Sequence, residues 1–216
     1  MSVVLLMILA LIILLLGVLL WWRYACRRYF LPCPTWLYWA LENPYTNTLA
    51  GSEKLLDRAH VTPGMRVLDA GCGKGRLTLP AARRVTSKGE VVALDIQSAM
   101  LRVVERRVKA SGLTNVRTQR CTLGLGELQP GTFDRAFLVT VLGEIPNRHG
   151  ALQEISQALK PQGVLSVTEL FPDPHYNSQR CVCMEVEATG LQYLETFGNK
   201  VSFTMNFTKP GPGPLN

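Results

Sequence analysis

The first 22 residues carry no charged side chain. That absence excludes an ordinary solvated amphipathic helix at this end. Beyond it the chain has a formal net charge of +7 but no basic block of five or more residues. A nucleic-acid partner calls for clustered cations, so none is expected. Scattered cations suit an anionic membrane surface instead. Cysteine is sparse, 6 in 216 residues. Cys181 and Cys183 lack the second pair or following histidine that a zinc site needs, so no metal centre is expected. Tryptophan is absent outside Trp21 to Trp39. No internal repeat is present, and 216 residues suffice for one domain with a sizeable core.

What fills the uncharged start is apolar. Val3 to Leu20 is almost wholly Leu, Ile, Val, Met and Ala. As a helix it spans about 27 Å at 1.5 Å per residue, close to the ~30 Å hydrocarbon core. A cleaved signal peptide would need a basic start, a shorter apolar core and a small-residue cleavage site, none of which is present. The expectation is a membrane anchor over 1–22. Arg23, Arg27 and Arg28 follow directly, and flanking cations favour the cytoplasmic side. A single-pass protein with a cytoplasmic soluble part is therefore expected, its cysteines reduced. The aromatic cluster from Trp21 to Trp39 predicts a segment lying at the headgroup level, or a neck packed on the soluble domain. Cys26 and Cys33 are candidate acylation sites.

Further along, Leu31-Pro32-Cys33-Pro34 breaks any helix continuing from the span. Pro34 to Glu42 suggests a short helix, with a turn through Tyr45. Ser52 and Ser98 are candidate helix caps. The spacing predicts strands over 65–69, 91–95, 115–121, 133–141, 164–170, 191–197 and 201–207. Helices are predicted over 76–82, 98–111, 151–159 and 181–189, and residues 210–216 as a disordered tail. Alternating strands and helices imply an α/β fold, a mainly parallel sheet with helices on both faces. Its ligand site belongs at the carboxyl ends of the strands. The lead-in is assigned to 23–60, the domain to 61–210 and the tail to 211–216.

The run Val67-Leu68-Asp69-Ala70-Gly71-Cys72-Gly73-Lys74-Gly75 carries the chemistry. A strand ends in an acid, three alternating glycines turn the chain, and a helix follows. Such glycines let backbone N–H groups approach a ligand without a Cβ in the way. The pattern is not the dinucleotide fingerprint, whose third glycine is replaced here by Arg76. Asp95 ends the next strand, 20 residues after Gly75, where an acid accepts from ribose hydroxyls.

With these residues, and with the phrases VVALDIQSAML, FDRAFLVTVLGEIP and LKPQGVLSVTEL in that order, the chain resembles the class I S-adenosylmethionine-dependent methyltransferases. The resemblance covers roughly residues 61–210 and implies a Rossmann-like fold and S-adenosylmethionine as cofactor. It implies that Gly71, Gly73 and Gly75 line the methionine and ribose portion and that Asp69 orients their loop. Asp95 would bind the ribose hydroxyls and Ile96 would pack on adenine. Many members have an acid after the third strand that contacts the adenine amino group. Here that place falls at Thr122, which offers a hydroxyl and no anionic acceptor.

Methyl transfer is an in-line displacement in which alignment supplies much of the rate. A base is needed only if the acceptor must lose a proton. Glu144, after the fourth strand, and His175, after the fifth, are the candidates for acceptor contact or base. Each also reads as a plain loop residue. Tyr45 is a candidate to close over the cofactor. An anchored enzyme methylating a lipid or other hydrophobic small molecule is the leading expectation. A methyltransferase for a soluble or protein acceptor, and a non-catalytic cofactor-binding protein, are the alternatives.

Overall fold

The computed structural model describes residues 3–29, 50–171 and 173–211. Tyr45, Cys33, the 34–42 helix and the tail beyond 211 lie outside the described residues. Helix α1 covers Val3–Tyr29, and its apolar side chains through Leu20 are exposed. It is long and apolar enough to cross a membrane. The helix does not stop at residue 22. Trp21, Trp22, Tyr24 and Tyr29 are carried on its last turns rather than on a separate segment. Ala25 and Cys26 in those turns are buried, and α1 packs there on the turn at Leu142–Glu144. Burial leaves no room for an acyl chain on Cys26.

The rest alternates strand and helix as the sequence pattern requires. After α2 (Ser52–Arg58) come β1 (Arg66–Ala70), α3 (Thr78–Val85), β2 (Glu90–Asp95) and α4 (Ser98–Ala110). β3 (Val116–Arg120) and β4 (Phe133–Val139) follow, then α5 (Arg148–Ala158) and β5 (Leu159–Leu170). α6 (Gln179–Glu187), β6 (Gln192–Gly198) and β7 (Ser202–Thr208) complete the described chain. These strands form one sheet in the order β3-β2-β1-β4-β5-β7-β6. The first five are parallel neighbours. Only β7 runs against its neighbours β5 and β6.

Both faces are covered, so the central strands are continuously apolar. Val67, Val91 and Phe137 point to one side, where Leu55, Leu56, Ala81 and Val85 meet them. Leu68, Val92, Leu138 and Leu165 point to the other, against Leu152, Ile155 and Val182. Edge strand β3 is half-exposed and carries Arg117 and Arg120. Charge on an edge discourages pairing with another sheet.

Three local expectations change. Ser52 is not a cap; its hydroxyl donates to the Arg76 carbonyl at 2.7 Å, tying α2 to the glycine loop. Ser98 is already helical, and Gln97 takes the cap position without a side-chain bond. The strand predicted over 164–170 begins earlier, at Leu159, and residues 160–163 form a bulge inside it, because Leu159 already pairs with Phe133 before the register shifts. Gln162, at φ 63°, carries the left-handed kink.

Candidate active site

The chain runs β1, β2, β3 to one side of the sheet, then crosses back to β4 beside β1. That reversal opens a crevice at the carboxyl ends of the strands. A cavity of about 300 Å³ occupies it, lined by the ends of β1, β2 and β4 and by the loop after β3.

The glycine loop is held from several sides. Gly71 and Cys72 N–H groups donate to the Leu94 carbonyl, at 2.8 and 2.9 Å. Gly71, Gly73 and Gly75 have φ of 74°, 53° and 82°, left-handed values that favour glycine. Arg107 on α4 donates to the Lys74 carbonyl at 3.1 Å. Asp69 is buried, and its carboxylate accepts the Thr78 hydroxyl at 2.6 Å. Burial pushes the Asp69 carboxyl up to about 6, against the Thr78 bond that favours the ionised form. Asp69 thus clamps the start of α3 to the end of β1.

Asp95 accepts the Gly73 N–H at 2.9 Å on one oxygen and the Gln97 N–H at 2.8 Å on the other. Burial raises its pKa, and backbone N–H bonds from Gln97, Gly73 and Ile96 offset only part of that rise. Each oxygen keeps a further lone pair for a ligand hydroxyl. Ile96 lies beside it on the cavity wall, 49% exposed, as a flat apolar patch. Thr122 lines the same end, next to Cys121 and Leu123. Burial raises the Cys121 thiol to about 12, which leaves it an unreactive part of the wall.

At the opposite end Glu144 lines the cavity with Val139, Val141, Ile145 and Pro146. His175 does not line it. The ring is buried, with Nδ1 at 3.1 Å from the Gly143 carbonyl. His60 and His149 are exposed at helix ends.

A methyltransferase domain family model matches residues 61–199, more than half of the chain. The chain belongs to this methyltransferase family. Two curated relatives share the region: the ubiquinone/menaquinone biosynthesis C-methyltransferase UbiE of Bordetella parapertussis, 39% identical over 53% of this chain and 44% of that protein, and nocamycin O-methyltransferase of Saccharothrix syringae, 31% identical over 57% of this chain and 44% of that protein. The chain thus spans less than half the length of either. A SAM-dependent methyltransferase from Aquifex aeolicus has the same fold, with TM-score 0.75 and 24% identity over 82% of this chain and 99% of that one. S-adenosylmethionine is the cofactor indicated by the family and these neighbours. The cavity suits it: a buried carboxylate beside an apolar plate at one end, and a tight backbone loop between them and the far wall.

For this family member, the sequence pattern did not single out two cavity residues and one that supports the cavity from behind. Asp173 lines the cavity, two residues before the His175 that the sequence singled out. Thr140 lines the cavity at φ 56°, a strained setting for a β-branched residue. Glu154 on α5 accepts the Gly124 and Leu128 N–H groups and so holds the loop that follows Thr122. A glutamate in an amphipathic helix gives no sign in sequence that it faces inward.

Proposed function

We propose that the chain is an S-adenosylmethionine-dependent methyltransferase for a hydrophobic, quinone-like small molecule met at a membrane surface. The observation that carries this is the two-ended cavity. Its polar end lies at Asp95 and the glycine loop. Its other end, where Val139, Val141, Ile145 and Pro146 line the wall with Glu144 and Asp173, lies beside the turn on which α1 packs. The curated relative named for quinone biosynthesis supports the acceptor class.

Bound S-adenosylmethionine supplies an electrophilic methyl group. Asp95 accepts its ribose hydroxyls, Ile96 covers one face of adenine, and Thr122 offers a hydroxyl at the adenine rim. Gly71, Gly73 and Gly75 keep the backbone close to the methionine and ribose portion. Asp69 holds that loop through Thr78. Glu144 faces the acceptor and takes its hydroxyl proton where one must leave. His175 acts from behind, fixing the Gly143 carbonyl next to Glu144. Tyr45 remains a candidate cover. The anchor is α1, and Arg23, Arg27 and Arg28 put the domain on the cytoplasmic face, with the lipid bilayer as partner.

The test is calorimetric binding of S-adenosylmethionine to the full chain in vesicles, then methyl transfer to a prenylated quinol and to its tail-less analogue. Binding followed by a preference for the prenylated acceptor is expected. Absence of cofactor binding overturns the reading as a whole. Equal transfer to both acceptors, with or without vesicles, overturns the membrane-surface acceptor and favours the soluble-acceptor alternative.

A further inference from the structure

The acceptor end of the cavity is bounded by the loop that follows β5, and α1 grips that loop from outside. The Arg23 guanidinium donates to the Asp173 carbonyl at 2.9 Å. Arg27 donates through Nε to the Pro174 carbonyl at 3.0 Å and through Nη2 to the Tyr176 carbonyl at 2.7 Å. These contacts join residues about 150 positions apart in the chain. Two cations thus cover three carbonyls of one short loop.

The inner side of the loop is tied as well. The His175 ring meets the Gly143 carbonyl, and the backbone N–H of His175 donates to the Asp173 carboxylate at 2.7 Å. Asn177 donates twice to Glu169, from its backbone N and from Nδ2, each at 3.1 Å. Between the outer and inner ties sits the Asp173 carboxylate, on the cavity wall with Glu144. The inner ties belong to the domain. The outer ties exist only while the last turns of α1 are docked.

We propose that Asp173 is a contact for the acceptor and that Arg23 and Arg27 are its positioning residues, so that the last turns of α1 form a working part of the acceptor site. This rests on the methyltransferase reading above and adds to it a role for the helix beyond location. The cofactor end is anchored on β1, β2 and α4, none of which these arginines touch, so its affinity is independent of them. Loss of the two side chains frees the loop on its outer side only. The acceptor then meets an unfixed carboxylate, and its KM rises, while turnover at saturation stays near that of the wild type.

The experiment uses the full chain in vesicles. R23A/R27A is compared with R28A, which alters the membrane-facing charge nearby. Arg28 lies over the Tyr29 ring on its own helix. Three quantities are measured: the KM and kcat for a prenylated quinol, the Kd of S-adenosylmethionine, and amide hydrogen exchange over 173–177. R23A/R27A should raise the acceptor KM about tenfold, the scale of a lost charge-assisted hydrogen bond. It should leave the cofactor Kd unchanged and speed exchange over 173–177, with R28A matching the wild type. Unchanged exchange in R23A/R27A, or an equal KM rise in R28A, overturns the proposal. If the wild type binds cofactor but transfers to no quinol, the acceptor reading fails, and faster loop exchange in R23A/R27A still upholds the positioning role. D173N is the second variant: its side-chain oxygen can still accept the His175 N–H, so it should raise the acceptor KM while changing exchange over 173–177 far less than R23A/R27A does, and a wild-type KM in D173N overturns the acceptor contact.

Discussion

The Asp95 carboxylate accepts the backbone N–H of Gly73 at 2.9 Å, across 22 residues of chain. One acid therefore shapes the glycine loop and faces the cavity at the same time. The two strand ends that carry the motif are locked to each other before any ligand arrives.

Replacing Asp95 separates these two duties. Asp95→Ala leaves the Gly73 and Gln97 donors without their acceptor, a loss of about 1–3 kcal/mol for each such group that stays buried. Asp95→Asn keeps one acceptor oxygen and should spare much of that stability. Both remove the anionic partner of the ribose. Calorimetry should show S-adenosylmethionine affinity falling by about tenfold or more in each. Wild-type affinity in Asp95→Asn would remove the ribose assignment.

Gly71→Ala meets two obstacles of different origin. Its φ is +74°, and the new Cβ would stand 2.5 Å from Val141 Cγ2. The left-handed backbone alone costs roughly 1–2 kcal/mol, and overpacking adds about 1–3 kcal/mol. In urea unfolding, Gly71→Ala should lose about 2–5 kcal/mol. Adding Val141→Ala should return the steric share and leave the backbone share. A double variant no better than Gly71→Ala would show that Val141 is not the obstacle.

Glu169 gives the fold a pH dependence. It is buried at the end of β5, and that burial lifts its carboxyl from 4.5 to about 7, against two bonds from Asn177. The folded state then holds a proton that the unfolded chain has released. Stability should therefore fall as pH rises from about 4.5 to about 7 and level off above. Asp69, raised to about 6, adds a slope of the same sign at lower pH. Glu169→Gln should flatten the difference in unfolding free energy between pH 5 and pH 8 by a few kcal/mol at most. An unchanged difference would mean that Glu169 is ionised in the folded protein at neutral pH.

The parallel core and the cofactor loop were legible because their signals are local. Val67-Leu68 and Val91-Val92-Ala93-Leu94 are apolar at every position, which only a strand covered on both faces requires. Asp69, the three glycines and Asp95 announce a turn and an acid within one strand–helix–strand stretch. Caps were less legible: Ser52 and Ser98 have the right chemistry for a cap, but Ser52 is engaged by Arg76 and Ser98 lies one residue inside the helix. Helix α1 was legible as an apolar run. Its continuation to Tyr29 was not, since residues 21–29 mix aromatic and basic side chains.

By itself, then, the sequence determined the order of elements, the glycine loop, the acid at the second strand end and an apolar helix ahead of the domain. Short-range patterning suffices for those, because each depends on neighbours within a few residues. Tertiary structure alone decided which groups share the cavity. Asp173 reaches it because β5 ends beside β4, and His175 turns away because its ring finds the Gly143 carbonyl. Glu154 faces inward because the loop after β3 leaves N–H groups that need an acceptor. Arg23 and Arg27 meet carbonyls about 150 residues downstream, a pairing that no local pattern encodes and that exists only once α1 packs on the folded sheet.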